Sequence, residues 1–242
     1  RITSGTLKLT LVDASASTGA VNVTMNNQSA AGAGNDLSVL GGQGNDTLNV
    51  VAETTNDIYV AGGLGNDTFV FGGNLATTDT VAGGLGTDTL SVTYNGAGIT
   101  TTKISGIETL SLSNAVAADT TYTLSNLQAG IQNVTLAAGS DDAVVTTVIF
   151  DSGVNGTVNL AAALGAGAST LALQSAGTGT SDAVTVAHTN SADTFAGAAI
   201  TATGTETLNL TSTSTTSTGQ TTGVITAVSG TSAVNFSGNN SF

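Results

Sequence analysis

Three nine-residue segments carry the residues best placed to do chemistry: Gly41-Gly42-Gln43-Gly44-Asn45-Asp46-Thr47-Leu48-Asn49, Gly62-Gly63-Leu64-Gly65-Asn66-Asp67-Thr68-Phe69-Val70 and Gly83-Gly84-Leu85-Gly86-Thr87-Asp88-Thr89-Leu90-Ser91. Each reads G-G-x-G-x-D-x-U-x, with U a large apolar residue, and the aspartates recur every 21 residues. Glycine allows backbone conformations closed to other residues, so such a segment turns tightly and aims carbonyl oxygens inward. The aspartate adds a charged oxygen. Calcium, a hard cation, takes about 6–8 oxygen ligands, so one loop supplies part of the shell and a loop stacked on it supplies the rest. The candidate ligands are Gly41, Gln43, Gly44 and Asp46, then Gly62, Leu64, Gly65 and Asp67, then Gly83, Leu85, Gly86 and Asp88. Calcium is expected between loops 41–46 and 62–67, and between 62–67 and 83–88. The central loop then serves two ions, so Asp67→Ala is expected to cost more calcium affinity than Asp46→Ala or Asp88→Ala.

Degenerate half-motifs alternate with the full ones. Asp36, Asp57 and Asp79 stand 21 and 22 residues apart and mark the opposite edge of the same coil. They form a secondary set of metal positions, because the double glycine is missing before Asp36 and Asp57, and Asp79 comes two places late.

Charge points the same way. No basic residue lies between Lys8 and Lys103, while Asp36, Asp46, Glu53, Asp57, Asp67, Asp79 and Asp88 fall in between. Stacked acidic rows repel unless a cation separates them. With three basic residues and a net charge of −13, the chain lacks the footprint needed for nucleic acid or for an anionic membrane surface. No apolar run reaches the roughly 18 residues that would span a bilayer, so no membrane insertion is expected.

These loops need elements that hold them in register. Threonine, valine, serine and glycine in short alternating stretches predict many short strands. Proline and cysteine are absent, which suits uninterrupted ladders. A glycine followed by an alternating strand recurs with starts at 19, 41, 62, 83, 106, 130, about 154, 179, 204 and 230, in steps of 21 to 26 residues. A sustained period of that length is the mark of a solenoid. The expected fold is all-β: a right-handed parallel β-solenoid or β-roll of about ten coils. Its expected parts are N-terminal coils over 1–30, a cation-binding β-roll over 31–95 and a Thr/Gly-rich continuation over 96–242. A β-roll followed by a β-sandwich is the competing architecture.

No catalytic constellation stands out, and no enzymatic activity is expected. His188, the sole histidine, sits in the alternating stretch 184–188 and reads as a surface or ladder residue. Asp141, Asp142 and Asp151 read as turn residues rather than the paired carboxylates of glycoside hydrolysis. The glycine-rich loops end in aspartate, not in the Lys-Ser/Thr of a phosphate loop.

Residues 41–91 resemble the calcium-binding nonapeptide repeats of the RTX family. The strands headed by Gly106-Ile107-Glu108-Thr109-Leu110 and Gly204-Thr205-Glu206-Thr207-Leu208 resemble the Thr-rich repeats that accompany RTX motifs in bacterial surface-layer proteins. The resemblance implies an extracellular protein, exported by type I secretion and folded by external calcium. It implies a calcium-dependent structural subunit that assembles with itself into a lattice or filament. A start at Arg1 without methionine predicts a segment of something longer or processed. Other readings the resemblance allows are a calcium-dependent adhesin or biofilm-matrix segment, with cell-surface polysaccharide as partner, and the C-terminal secretion module of an enzyme.

Overall fold

The computed structural model describes residues 9–25, 37–52, 57–93, 103–165, 169–176, 181–189, 198–213, 224–227 and 231–238. Asp36 and Glu53 lie outside them, as do the repeat starts expected at 179 and 230. Chain contacts divide the protein into two compact units, residues 1–93 with 100–110, and residues 94–99 with 111–242.

In the first unit, alternating stretches form β1 (Leu11–Asp13), β2 (Asn22–Thr24), β3 (Leu37–Leu40), β4 (Thr47–Asn49), β5 (Ile58–Leu64), β6 (Thr68–Gly72), β7 (Thr80–Leu85), β8 (Thr89–Val92), β9 (Ile104–Ser105) and the start of β10 (Thr109–Leu112). Odd strands pair in the order β1-β3-β5-β7-β9, and even strands run β2-β4-β6-β8-β10 in a second sheet. The pairing is parallel: Val39 faces Val60, Val60 faces Val81, and Leu48 faces Phe69. Each coil therefore contributes one strand to each sheet, the defining geometry of a β-solenoid. Successive side chains on a strand point to opposite faces. Here one set packs inward, with Leu37, Val39, Leu48, Val60, Phe69, Phe71 and Val81 fully buried. Threonines 47, 68 and 89 stand on the other face, in register with one another. Removing each large apolar side chain from water is worth about 1.5–3 kcal/mol.

The second unit repeats the plan with β11 (Thr120–Thr123), a single turn of 3-10 helix at Leu124–Asn126, β12 (Asn133–Leu136), β13 (Val145–Asp151), β14 (Gly156–Leu160), β15 (Thr170–Ala176), β16 (Ala183–His188), β17 (Ala199–Thr203), β18 (Thr207–Ser212), β19 (Ile225–Ala227) and β20 (Ala233–Gly238). Strands β11-β13-β15-β17-β19 form one sheet and β12-β14-β16-β18-β20 pair in another. Every pairing is again parallel, from Val134 opposite Val158 to Leu208 opposite Val234. The alternative of a β-sandwich after residue 104 is therefore corrected, since a sandwich is built from antiparallel strands.

Among the described residues the turns add up to about seven, fewer than the ten coils counted from glycine starts, although each described start leads into a strand of the even series. Leu11 on β1 and Phe236 on β20 are more than half exposed. Among the described residues no helix is long and apolar enough to cross a membrane.

Candidate metal centre

Each glycine-rich segment joins a strand of the odd sheet to one of the even sheet, and in the second and third segments the first half is strand rather than turn. Gly62-Gly63-Leu64 completes β5 and Gly83-Gly84-Leu85 completes β7, with Gly63 opposite Gly84 and Leu64 opposite Leu85. The chain reverses only at the third glycine and the residues up to the aspartate. Leu48, Phe69 and Leu90 then enter the core as expected for the large apolar position.

Strand alternation gives the first glycine its purpose. Ile58, Val60 and Gly62 occupy successive inward positions of β5, and Val81 and Gly83 do so on β7. A Cβ at Gly62 would lie 2.0 Å from Oδ2 of Asp67 and 2.7 Å from the Gly83 carbonyl oxygen. At Gly83 it would meet the Gly106 carbonyl oxygen at 1.7 Å and Asp88 Oδ2 at 2.5 Å; at Gly41, Asp46 Oδ2 at 2.3 Å and the Gly62 carbonyl oxygen at 2.4 Å. The missing side chain thus opens a cradle in which one carboxylate oxygen and one carbonyl of the next coil face the same space. The second glycine has a different role. Gly63 and Gly84 adopt φ of 111° and 114°, a region L side chains rarely enter.

The aspartates form a ladder. Oδ1 of Asp67 accepts the Asp46 amide at 2.7 Å, and Oδ1 of Asp88 accepts the Asp67 amide at 2.7 Å. Below, Oδ1 of Asp46 accepts the Val21 amide at 2.8 Å, and above, Oε2 of Glu108 accepts the Asp88 amide at 2.7 Å. Asparagines one position earlier stitch the other way: Asn45 Oδ1 accepts the Asn66 amide and Asn66 Oδ1 accepts the Thr87 amide, both at 2.9 Å. Sequence reasoning missed Glu108, Asn45 and Asn66. The signal was present in the shared motif position of the two asparagines, and in Glu108 standing two residues before a large buried apolar residue as each aspartate does.

The three carboxylates differ in their second oxygen. Asp46 Oδ2 accepts the Gly42 amide at 2.6 Å. Oδ2 of Asp67 and Oδ2 of Asp88 are buried with no hydrogen-bond partner. A buried anionic oxygen without a partner is costly, and a cation or a proton relieves the cost. Burial, helped by the charges of Asp88 and Asp46 and opposed by the Asp46 amide, pushes the Asp67 carboxyl up to about 6. Burial raises Asp88 too, with Glu108 adding repulsion and the Asp67 amide opposing.

The residues therefore fit a hard cation unevenly. The interval between loops 62–67 and 83–88 offers the unpartnered Asp67 Oδ2 and the Gly83 carbonyl. The interval between 41–46 and 62–67 offers a carboxylate already engaged by Gly42. Among the remaining candidates, Gln43, Leu64 and Leu85 turn their side chains to solvent. The Leu85 carbonyl accepts the Gly65 amide at 2.9 Å, and Gly44, Gly65 and Gly86 close the turns. Among the described residues no three His, Cys, Asp or Glu side chains gather as a metal cluster. A cation here would be held by one carboxylate per loop and by carbonyls.

The opposite edge is built differently. Asp79 is buried, and both oxygens are used: Oδ1 accepts the Ile58 amide at 2.9 Å and Oδ2 the Ala76 amide at 2.8 Å. Burial raises its carboxyl, opposed by those two amides, with Asp57 adding to the rise and Lys103 opposing it. Asp57 is exposed and out of line with Asp79, because Tyr59 pairs with Thr80. The 22-residue step in the sequence is this shift of one. Asp79 is occupied as a backbone staple and Asp57 does not join it in a site.

The second unit has its own staple without the glycine frame. Asp182 is buried, its Oδ1 accepting the Gly153 amide at 3.0 Å and its Oδ2 the Ser175 hydroxyl at 2.6 Å. Glu206 Oε2 in turn accepts the Asp182 amide at 2.8 Å. His188 is a ladder residue, paired with Leu160 and Ser212, but it is fully buried rather than at the surface. Its Nδ1 lies 3.1 Å from the Ser212 hydroxyl. Asp141 and Asp142 are exposed beside a turn, and Asp151 ends β13 with Oδ2 accepting the Gly130 amide at 2.9 Å.

Fold and site together define a parallel β-solenoid whose first unit carries a buried carboxylate ladder at one corner. Comparison with family models, curated proteins and solved structures finds no match for this chain.

Proposed function

We propose that this chain is a calcium-dependent extracellular structural protein of RTX type, a subunit that assembles with itself at the bacterial cell surface after type I secretion. The observation that carries the reading is the unpartnered, buried Asp67 Oδ2 facing the Gly83 carbonyl across the space that Gly62 leaves open. Oxygen-only donors favour a hard cation such as calcium over softer metals. Asp67 and the Gly83 carbonyl would hold the ion, and its charge would offset the repulsion along the Asp46–Asp67–Asp88 row. Binding to the folded state alone stabilises that state by mass action, so external calcium drives folding.

Assembly rests on a separate argument. A strand left uncovered at the end of a parallel stack templates association. Strand β20 pairs with β18, and Phe236 on it is more than half exposed. Structural rather than catalytic work suits a chain whose buried polar groups serve mainly to staple coil to coil.

The test is electron microscopy of the purified protein with millimolar calcium and after chelation. Regular sheets or filaments that form only with calcium are expected. Folded, dispersed particles in calcium would overturn self-assembly and favour the adhesin or secretion-module reading. A calorimetric titration that detects no calcium binding would overturn the metal reading itself.

A further inference from the structure

We infer that the cation row extends one loop beyond the last glycine-rich motif, with a second ion held between loop 83–88 and the turn at Gly106-Ile107-Glu108. This deepens the calcium reading above and rests on it. The sequence places no ion here, since Gly106-Ile107-Glu108 lacks both the double glycine and the aspartate.

Three observations converge on the position. Asp88 is fully buried, and its Oδ2 has no hydrogen-bond partner. That oxygen and the Gly106 carbonyl oxygen crowd the same point, the place of the absent Gly83 side chain, where a Cβ would lie 2.5 Å from one and 1.7 Å from the other. Two oxygens with partial or full negative charge facing one space repel unless something positive lies between them. Glu108 brings a second carboxylate to the same turn, fixed by its bond from the Asp88 amide at 2.7 Å. Two carboxylates and a carbonyl match the charge and hardness of a divalent calcium ion. Gly106 itself has φ of 64°, so the turn that delivers its carbonyl depends on glycine.

Glu108 continues the ladder: its side chain reaches the Asp88 amide, as Asp88 reaches that of Asp67. The site differs from the Asp46 position, where the Gly42 amide already occupies the second oxygen.

The experiment is a calorimetric calcium titration of the protein and of Asp67→Asn, Asp88→Asn and Glu108→Gln variants, with thermal melting in EGTA beside it. Asp67→Asn and Asp88→Asn are each expected to bind one ion fewer than the parent. In EGTA, Asp88→Asn is expected to melt at or above the parent temperature, because an amide Nδ2 can donate to the Gly106 carbonyl where Oδ2 repels it. Should Asp88→Asn fail to fold, Glu108→Gln decides: it keeps an acceptor for the Asp88 amide and is expected to weaken one ion at least about fivefold. A full ion count in Asp88→Asn with one ion lost in Asp67→Asn overturns this inference and leaves the calcium reading standing. Unchanged affinity at every site in Glu108→Gln also overturns it. Absence of calcium binding by the parent protein at millimolar calcium overturns both.

Discussion

At the scale of single residues, the ladder aspartates are alike in sequence and unlike in environment. Asp46 has both oxygens bonded, while Asp67 and Asp88 each keep one buried oxygen without a partner. Calcium affinity is therefore expected to fall least with Asp46→Asn and clearly more with Asp67→Asn in calorimetric titration. This refines the expectation from spacing alone, which ranked Asp88 with Asp46. Protonation gives a second test. The Asp67 carboxyl titrates near 6 when folded against 3.8 for its ordinary value, so between those pH values the folded chain holds more protons than the unfolded one. Without calcium, stability from this group is greatest below pH 3.8 and falls as pH rises through about 6. With calcium the sign reverses, because the ion needs the ionised carboxylate and its affinity rises through the same window. Melting curves in EGTA and in calcium across that range check both slopes, and an EGTA melting temperature that climbs from pH 4 to 6 would contradict the burial argument. Glycines separate in the same manner. Gly84→Ala places a Cβ 2.1 Å from the Gly63 carbonyl oxygen at a φ of 114° and is expected to cost at least about 1–3 kcal/mol. Gly73→Ala meets nothing within 4 Å and is expected to be near neutral in the same denaturation experiment.

At the scale of elements, each strand works through its inward face. Phe69 on β6 and Phe150 on β13 are fully buried. Phe69→Ala is expected to destabilise by about 3–5 kcal/mol, read by urea denaturation in saturating calcium. The loops between strands are held by side chains that bond backbone amides of the neighbouring coil, so loop order passes from coil to coil. Asp182 and Glu206 do this in the second unit with every carboxylate oxygen of Asp182 engaged. Asp182→Ala leaves the Gly153 amide and the Ser175 hydroxyl without that partner and is expected to cost about 1–3 kcal/mol, equally with and without calcium. A calcium-dependent loss there would show that the second unit also binds the ion.

At the scale of the whole molecule, calcium and assembly are expected to act on different parts: the ion on the corner of the first unit, association on the outer strands. Hydrogen exchange that slows around residues 41–92 on adding calcium, with little change over 145–188, would bear out that division. The solenoid was legible in the sequence because a period of 21 to 26 residues and strict alternation leave few ways to bury the apolar face. The three loops and their buried Leu48, Phe69 and Leu90 were legible for the same reason, since spacing by itself sets which residues stack. Spacing also carried the shift at Asp79, as one extra residue in the step. Hydrogen-bond partners were not legible. Whether a carboxylate oxygen meets an amide or an empty cradle depends on atoms brought from the next coil at distances of a few ångströms, and sequence periodicity is silent at that resolution. Sequence alone thus determined the repeat, the parallel stacking and the acidic row. Tertiary structure alone decided which of its members were satisfied, buried His188 between Leu160 and Ser212, and set Glu108 against the Asp88 amide.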